Sequence, residues 1–136
     1  MTDVFDPETR SRIMSRVKGR DTSPELIVRR MLHAMGYRFR LHDASLPGRP
    51  DIVLPRHGKI VQVHGCFWHG HRGCKRATTP ASNTEFWKNK IEGNKARDSR
   101  VERRLRRWGW SVMTVWECQT KDPDRLRRRL NGFMTR

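Results

Sequence analysis

The sequence predicts a single domain of the mixed α/β class. Its 136 residues are enough for one compact domain, and its periodic segments follow the order helix, strand cluster, helix, strand, helix. Hydrophobic residues make up 35% of the chain, and five Trp, five Phe and six Met provide large side chains for a core. No stretch reaches the about 18 apolar residues that a membrane span needs, so a membrane protein is excluded.

The chain begins with a polar, basic segment and continues with a helix. Residues 1–22 have little core of their own and form an N-terminal segment. Ser23, Pro24 and the acidic residue after them predict an N-cap, a proline at the first helical position and a favourable first turn. Apolar residues then recur at helical spacing up to Gly36, a typical C-terminal stop. The alternation over residues 37–41 predicts a strand.

Two β-rich runs follow at residues 51–54 and 60–64, with a Pro- and Gly-containing turn between them. Their composition and spacing predict a β-hairpin. Strand alternation divides the second run between two faces of the sheet. One face carries Ile60, Gln62 and His64, and the other carries Val61 and Val63.

The second half of the chain contains a long loop between regular elements. Residues 65–83 are rich in Gly, His, Cys, Thr and Pro without a clear period, which predicts a loop. A loop of this length in a compact domain needs something to order it. Residues 84–108 predict a long charged helix, residues 110–116 a strand and residues 122–130 a last helix.

The charge of the chain indicates a polyanionic partner. The 30 Lys and Arg residues against 14 Asp and Glu give a formal net charge of +16, and they are spread along the chain. A polybasic membrane anchor would be one cluster beside a lipidation site or an amphipathic helix, so nucleic acid is favoured over a membrane. The N-terminus lacks a signal-peptide pattern, which predicts an intracellular, cytoplasmic protein. Three cysteines, an odd number, argue against a disulfide scaffold.

The cysteines and one histidine have the composition of a zinc site. Cys66, His71 and Cys74 form the pattern C-x4-H-x2-C, and Cys118 follows the last strand. Thiolates and an imidazole in a set of four are the ligands of a closed structural zinc site. Such a site would order the loop by attaching it to the last strand. The alternative is that Cys118 is a buried core thiol and the loop cysteines are incidental.

A second group of side chains suits phosphodiester cleavage, which needs a divalent cation, a base that activates water and an acid or metal at the leaving oxygen. Asp51 stands at the start of the first hairpin strand, and His64 ends the second beside the Val63 carbonyl. His69 follows in the loop. We expect these groups to converge at one end of the hairpin. Taken singly, Asp51 is also typical of a turn, His64 of a strand end and His69 of a further zinc ligand.

Two other carboxylates are weaker candidates from local pattern alone. Glu25 lies in the first turn of a helix, where an acidic side chain usually interacts with the helix dipole. Asp98 lies between Arg97 and Arg100, which is typical of a charged helix surface.

Four separated motifs closely resemble the very-short-patch-repair (Vsr) family of DNA mismatch endonucleases. They are residues 43–51 (DASLPGRPD), 63–69 (VHGCFWH), 84–87 (TEFW) and 115–118 (VWEC), and the likeness extends over residues 9–118. The resemblance implies a restriction-endonuclease-like core with a mixed β-sheet flanked by helices and a structural zinc site. Restriction-like cores often carry Glu-x-Lys on the second strand, whereas residues 62–64 read QVH, a substitution that fits the Vsr family.

The resemblance also implies roles for the acidic and histidine residues. By position, Asp51 would bind catalytic magnesium together with the Val63 carbonyl, and His69 would be the general base. Asp98 would orient this base, and Glu25 and His64 would support the site. Glu25 and Asp98 thus gain a role that their local pattern does not indicate.

The resemblance further implies a zinc set and a DNA-binding surface. Zinc would be held by four residues, namely Cys66, His71, Cys74 and Cys118. The aromatic residues Phe67, Trp68 and Trp87 would insert beside the mismatch, although core packing alone would also explain them. Met14 lies in the N-terminal segment, residues 1–22, which would clamp the duplex, and residues 23–136 would form the catalytic core.

The activity implied is a magnesium-dependent nick 5′ of the thymine in a T:G mismatch, of the kind produced when 5-methylcytosine deaminates. We expect a monomer acting on double-stranded DNA, and recruitment by mismatch-repair proteins stays open. Two alternatives are a restriction-fold nuclease with another mismatch or site, and a zinc-stapled DNA-binding module without catalysis. The acidic and histidine group favours an enzyme, because a binding module has no reason to place Asp51 at a strand edge beside two histidines.

Overall fold

The computed structural model describes residues 22–77 and 82–136 as a four-stranded mixed sheet flanked by helices, as the sequence predicts. Met14 and residues 1–21 of the predicted clamping segment lie outside the described residues. The elements in chain order are α1 (Ser23–Ala34), β1 (Arg40–Leu41), β2 (Ile52–Leu54), β3 (Lys59–His64), α2 (Thr84–Arg107), β4 (Ser111–Trp116) and α3 (Pro123–Met134). Short 3-10 turns lie at Pro55–His57, Lys75–Ala77 and Glu117–Lys121.

Helix α1 begins with a different cap from the predicted one. The N-cap is Thr22 rather than Ser23, because the Thr22 hydroxyl accepts a hydrogen bond from the Glu25 N–H at 3.4 Å. A threonine and a serine are both good caps, so local pattern does not distinguish adjacent candidates. The predicted stop is confirmed: the helix ends at Ala34 and Gly36 adopts a left-handed backbone with φ +94°.

The sheet has the order β1-β2-β3-β4. The predicted hairpin is confirmed, since β2 and β3 are antiparallel, and β4 adds to β3 in parallel. Strand β1 is shorter than the predicted 37–41, because the Tyr37 N–H still bonds to the Leu32 carbonyl at the end of α1. Asp51 directly precedes β2 instead of opening it.

The two faces of the sheet bury two separate clusters, as the predicted alternation requires. Val61 packs with Val28 and Leu32 of α1 and with apolar residues of α3. On the opposite face, Ile60 packs with Leu105 of α2. Residues two apart on a strand share a face, so Gln62 and His64 lie on the same side of the sheet as α2.

The remaining helices cover the sheet and position the site. Helix α2 closely matches the predicted 84–108. Helix α3 extends beyond the predicted 122–130 to Met134, because buried Phe133 and Met134 continue the apolar stripe begun by Leu126 and Leu130. None of the helices among the described residues is long and apolar enough to cross a membrane.

Candidate active site and metal centre

The candidate residues lie at one edge of the sheet. The parallel strands β3 and β4 end together, with His64 opposite Trp116. Because β2 runs antiparallel to β3, Asp51 at the start of β2 reaches the same edge. A cleft of about 1270 Å³ opens there. All six residues predicted for catalysis and magnesium binding line this cleft: Glu25, Asp51, Val63, His64, His69 and Asp98.

Asp51 is held in the cleft by the strand beside it. Its Oδ2 accepts a hydrogen bond from the Val63 N–H at 2.8 Å, and its own N–H donates to Gln62 Oε1 at 3.0 Å. The N–H and carbonyl of one strand residue face the same side, so the Val63 carbonyl is directed toward Asp51 as well. Burial raises the pKa of Asp51 to about 7, the nearby Glu25 carboxylate acts in the same direction, and the Val63 hydrogen bond opposes both.

Glu25 lies in the first turn of α1, as expected for a helix-dipole partner, but it also lies beside Asp51. It is only 3% exposed. One carboxylate oxygen pairs with Arg29, and the other lies 3.1 Å from Nε2 of His42. One potential ligand atom from each of Glu25, His42 and Asp51 lies within 4.8 Å of the others. Two close carboxylates fit a divalent cation, which would offset their mutual repulsion.

His42 is a site residue that sequence reasoning missed. It follows β1, and its N–H donates to the Asp51 carbonyl at 3.1 Å. The strand β1 is only two residues long, so its sequence carried a weak signal. Knowledge that β1 pairs with β2 would have brought His42 next to Asp51.

A pair of stacked histidines lies in the same cleft. The rings of His64 and His69 are 4.0 Å apart and nearly parallel. His69 Nδ1 lies 2.6 Å from Asp98 Oδ2, and His64 Nδ1 lies 4.0 Å from the same oxygen. The pKa of His64 is lowered to about 4, mainly by burial and also by the neighbouring His69, while Asp98 acts in the opposite direction. His64 is therefore neutral at pH 7, while Asp98 holds His69 through one ring nitrogen.

Asp98 lies on α2 and faces the cleft, which differs from the helix-surface position expected from its arginine neighbours. Its side chain is 29% exposed and accepts from His69. Helical spacing determines that one side of α2 meets the sheet, but the flanking charges of Arg97 and Arg100 give no sign of which side. The resemblance to a known family, rather than the local pattern, indicated Asp98.

The predicted zinc ligands form a separate cluster. Ligand atoms of all four residues lie within 4.8 Å of one another: Cys66, His71, Cys74 and Cys118. A tetrahedral zinc ion with Zn–S bonds of about 2.3 Å separates two sulfurs by about 3.8 Å, so the cluster fits that ion. Burial raises the pKa of the Cys66 thiol to about 12, and a bound cation would stabilise its thiolate.

The alternative of an incidental core thiol does not match the position of Cys118. Its Sγ lies 3.5 Å from Nδ1 of His71, and its N–H donates to Cys66 Sγ at 3.4 Å. It belongs to neither of the two apolar clusters. His69, considered above as a further zinc ligand, lies instead with His64 and Asp98.

One aromatic ring connects the two clusters. The indole of Trp116 stacks on His71, with centroids 4.2 Å apart and planes 8° apart. It also makes an edge-to-face contact with His64, with centroids 5.3 Å apart and planes 77° apart. Trp116 therefore packs against both the cysteine-histidine cluster and the stacked histidines.

The predicted DNA-binding aromatics form a group at the surface beside the histidines. Phe67, Trp68 and Trp87 lie in mutual edge contact, with centroids 5.1 to 5.9 Å apart. Phe86, which sequence reasoning did not single out, joins through Trp87 and is 58% exposed. Because the group lies outside both apolar clusters, core packing does not account for its arrangement.

The site combines close carboxylates with an imidazole held by a carboxylate, and the chain is strongly basic. These features together are typical of an endonuclease. A family model described as "DNA mismatch endonuclease Vsr" matches residues 2–76. The chain belongs to this Vsr family of DNA mismatch endonucleases. The mixed sheet flanked by helices is consistent with a Vsr nuclease fold.

Similar proteins cover nearly the whole chain. The type II nicking enzyme V.XorIIP of Xanthomonas oryzae pv. oryzae is 48% identical over 98% of this chain and 98% of its own length. The type II nicking enzyme V.NmeAIP of Neisseria meningitidis is 43% identical over 98% and 95% of the two chains. The DNA mismatch endonuclease Vsr of Escherichia coli is 44% identical over 93% of this chain and 80% of its own.

Proposed function

We propose that the chain nicks one DNA strand 5′ of the thymine in a T:G mismatch produced by deamination of 5-methylcytosine, in a magnesium-dependent reaction that initiates very short patch repair. The observation that carries the proposal is the meeting of two clusters in one cleft. One contains the carboxyls of Asp51 and Glu25, and the other contains His69 with Asp98. The proposed unit is a single endonuclease domain over residues 1–136.

Asp51 and the Val63 carbonyl would hold magnesium, with Glu25 nearby. The bound ion would supply Lewis-acid stabilisation of phosphate charge and of the leaving oxygen. Asp51 must be ionised to act as a ligand, and its raised pKa means that the carboxyl keeps a proton near neutral pH until a cation replaces it. The Val63 N–H fixes one carboxylate oxygen, so the other is directed into the cleft.

His69 would act as the general base. Asp98 accepts a hydrogen bond from Nδ1, which places the ring proton on that nitrogen and leaves Nε2 to accept a proton from water. The imidazolium formed would be stabilised by the Asp98 charge. His64 stacks on this ring and is neutral at pH 7 because its pKa is lowered to about 4, so it adds no repulsion when His69 becomes charged.

Binding and selectivity would come from different parts of the surface. The net charge of +16 would hold the duplex through phosphate contacts, which carry strong salt dependence but no sequence information. The group of Phe67, Trp68 and Trp87 would enter the duplex beside the mismatch, where unstacking a base step costs about a few kcal/mol. A mismatched pair stacks and pairs less well, so the cost is lowest there.

Zinc bound by the cysteine-histidine cluster would be structural. Four protein ligands leave no open position for water. The metal would fix the loop that carries Phe67, Trp68 and His69 to the end of β4.

The test is cleavage of labelled duplexes that share one sequence and differ at a single pair. With Mg²⁺, a T:G duplex should be nicked once, 5′ of the thymine, while T:A and C:G duplexes stay intact. Asp51→Ala should bind the T:G duplex and leave it uncut, and Asp124→Ala on the exposed surface of α3 should behave like wild type. Binding without cleavage by wild type, or unchanged cleavage by Asp51→Ala, would overturn the proposal.

The same panel addresses the alternative specificity. A restriction-fold nuclease with another target would cut a different mismatch or an unmismatched site in the panel. The expected monomeric state can be measured on the same preparation by sedimentation, with and without the duplex.

A further inference from the structure

We propose that His42 is a further metal ligand in the Asp51 site and gives this site a preference for an imidazole-binding divalent cation, represented by Mn²⁺, over Mg²⁺. The inference rests on the proposed function in that it assumes a cation at Asp51. It adds a residue and a metal preference that the two-carboxylate description does not contain.

The first support is the distance between the three side chains. His42 Nε2 lies 3.1 Å from Glu25 Oε1, and His42, Glu25 and Asp51 each place a ligand atom within 4.8 Å of the other two. In an octahedral site with bonds of about 2.1 Å, ligand atoms lie about 3.0 Å apart when adjacent and about 4.2 Å apart when opposite. The three atoms therefore need only small movements to share one ion.

The second support is the backbone of His42. Its φ is +47°, a left-handed conformation that is uncommon for a residue with a side chain. Such conformations are strained and collect at functional sites. Here the conformation is held by the hydrogen bond from the His42 N–H to the Asp51 carbonyl. The result is an imidazole only 11% exposed beside two carboxylates.

The third support is charge and ligand chemistry. Glu25 and Asp51 supply two negative charges when ionised, and Arg29 offsets one of them at Glu25. A neutral imidazole adds a ligand without adding repulsion. Carboxylates and carbonyls suit both Mg²⁺ and Mn²⁺, but Mn²⁺ is a transition metal and accepts an imidazole nitrogen more readily than Mg²⁺ does. A site that contains His42 should therefore bind Mn²⁺ more tightly than a site built from oxygen alone.

The competing explanation is that His42 only donates a hydrogen bond that positions Glu25. The variant His42→Gln separates the two, because glutamine also offers an N–H donor but no imidazole nitrogen. His33→Gln is the matched control, since His33 is an exposed histidine on α1, the helix that carries Glu25.

The experiment measures metal binding on the zinc-containing protein. Mn²⁺ and Mg²⁺ are titrated separately by calorimetry, and the Mn²⁺ complex is examined by pulsed electron paramagnetic resonance for coupling to a ¹⁴N nucleus. We expect ¹⁴N coupling in wild type and in His33→Gln, and its loss in His42→Gln. We also expect His42→Gln to weaken Mn²⁺ binding by at least about tenfold and Mg²⁺ binding by less than about twofold.

Equal losses of Mn²⁺ and Mg²⁺ affinity, or ¹⁴N coupling that persists in His42→Gln, would overturn the proposal in favour of a hydrogen-bonding role. If circular dichroism shows that His42→Gln is unfolded, His42→Asn is tested in its place. Absence of ¹⁴N coupling in wild type would by itself overturn the proposal. Nicking of the T:G duplex is measured in parallel. Wild type that shows the coupling but cuts no duplex would refute the proposed function and leave the His42 assignment standing.

Discussion

The carboxyl that would bind the catalytic cation should destabilise the protein when the cation is absent. Burial raises the pKa of Asp51 from 3.8 to about 7. At about 1.4 kcal/mol per pH unit, this interval means that ionising the carboxyl lowers the free energy of unfolding by at most about 4 kcal/mol. The nearby Glu25 carboxylate contributes to this rise, so part of the cost belongs to the pair. We therefore expect Asp51→Asn to stabilise the metal-free protein by roughly 2 kcal/mol above pH 7.

The pH dependence has a definite sign. Between pH 3.8 and about 7, the folded state binds the Asp51 proton more tightly than the unfolded state, so wild-type stability falls as the pH rises through this interval. Asparagine does not titrate but keeps an oxygen that can accept from the Val63 N–H. The difference in melting temperature should reach roughly 5–10 °C at pH 8 for a domain of this size and be less than about half as large at pH 5.

The assay is thermal unfolding at pH 5 and pH 8 in magnesium-free buffer without a chelator, so that zinc is not stripped. Added Mg²⁺ should stabilise wild type and not Asp51→Asn, which closes the gap at pH 8. Asp124→Asn, at a carboxylate that is 81% exposed, is the control and should show no pH-dependent gap. The reasoning is refuted if Asp51→Asn is less stable than wild type at pH 8, or if the two differ equally at both pH values.

Three further predictions concern the other clusters. Metal analysis of wild type should find one zinc equivalent per chain, and Cys118→Ala should lose this zinc and melt at a lower temperature; full zinc content in this variant would remove Cys118 from the site. Trp68→Ala should weaken binding to a T:G duplex more than to a perfect duplex, whereas the exposed Trp108, about 30 Å along α2 from Trp87, should tolerate Ala in both assays; equal losses for Trp68→Ala would mean a purely structural role. Asp98→Asn should reduce the nicking rate by about a hundredfold or more with little change in duplex affinity, and an unchanged single-turnover rate would contradict the role of Asp98 in holding His69.

The elements of the fold were predictable because their signals are local. The hairpin, α2 and β4 follow from apolar spacing, and Gly36 marks the end of α1 through its own backbone freedom. The errors fall where local signals are weak or duplicated. Thr22 and Ser23 are both capable caps, and residues 37–39 continue from the helix into the core before any strand pairing begins.

The site was predictable only in part, because it forms where distant segments meet. The motif that contains Asp51 and the loop histidines suggested a cation and a base. The positions of His42 and Arg29 depend on how β1 pairs with β2 and how α1 lies against them, and no local pattern contains that information. The direction of the Asp98 side chain depends on the rotation of α2 about its own axis, and the charged neighbours of Asp98 do not indicate that rotation.

The position of Trp116 between two imidazoles has a consequence for sequence variation. The ring lies flat on His71 and makes an edge-to-face contact with His64, so an acceptable replacement must be planar and wide enough for both contacts. A library at position 116 selected for metal retention and a second selected for strand cleavage should therefore return the same few aromatic residues. If the two contacts were made by separate side chains, each trait could be altered without the other.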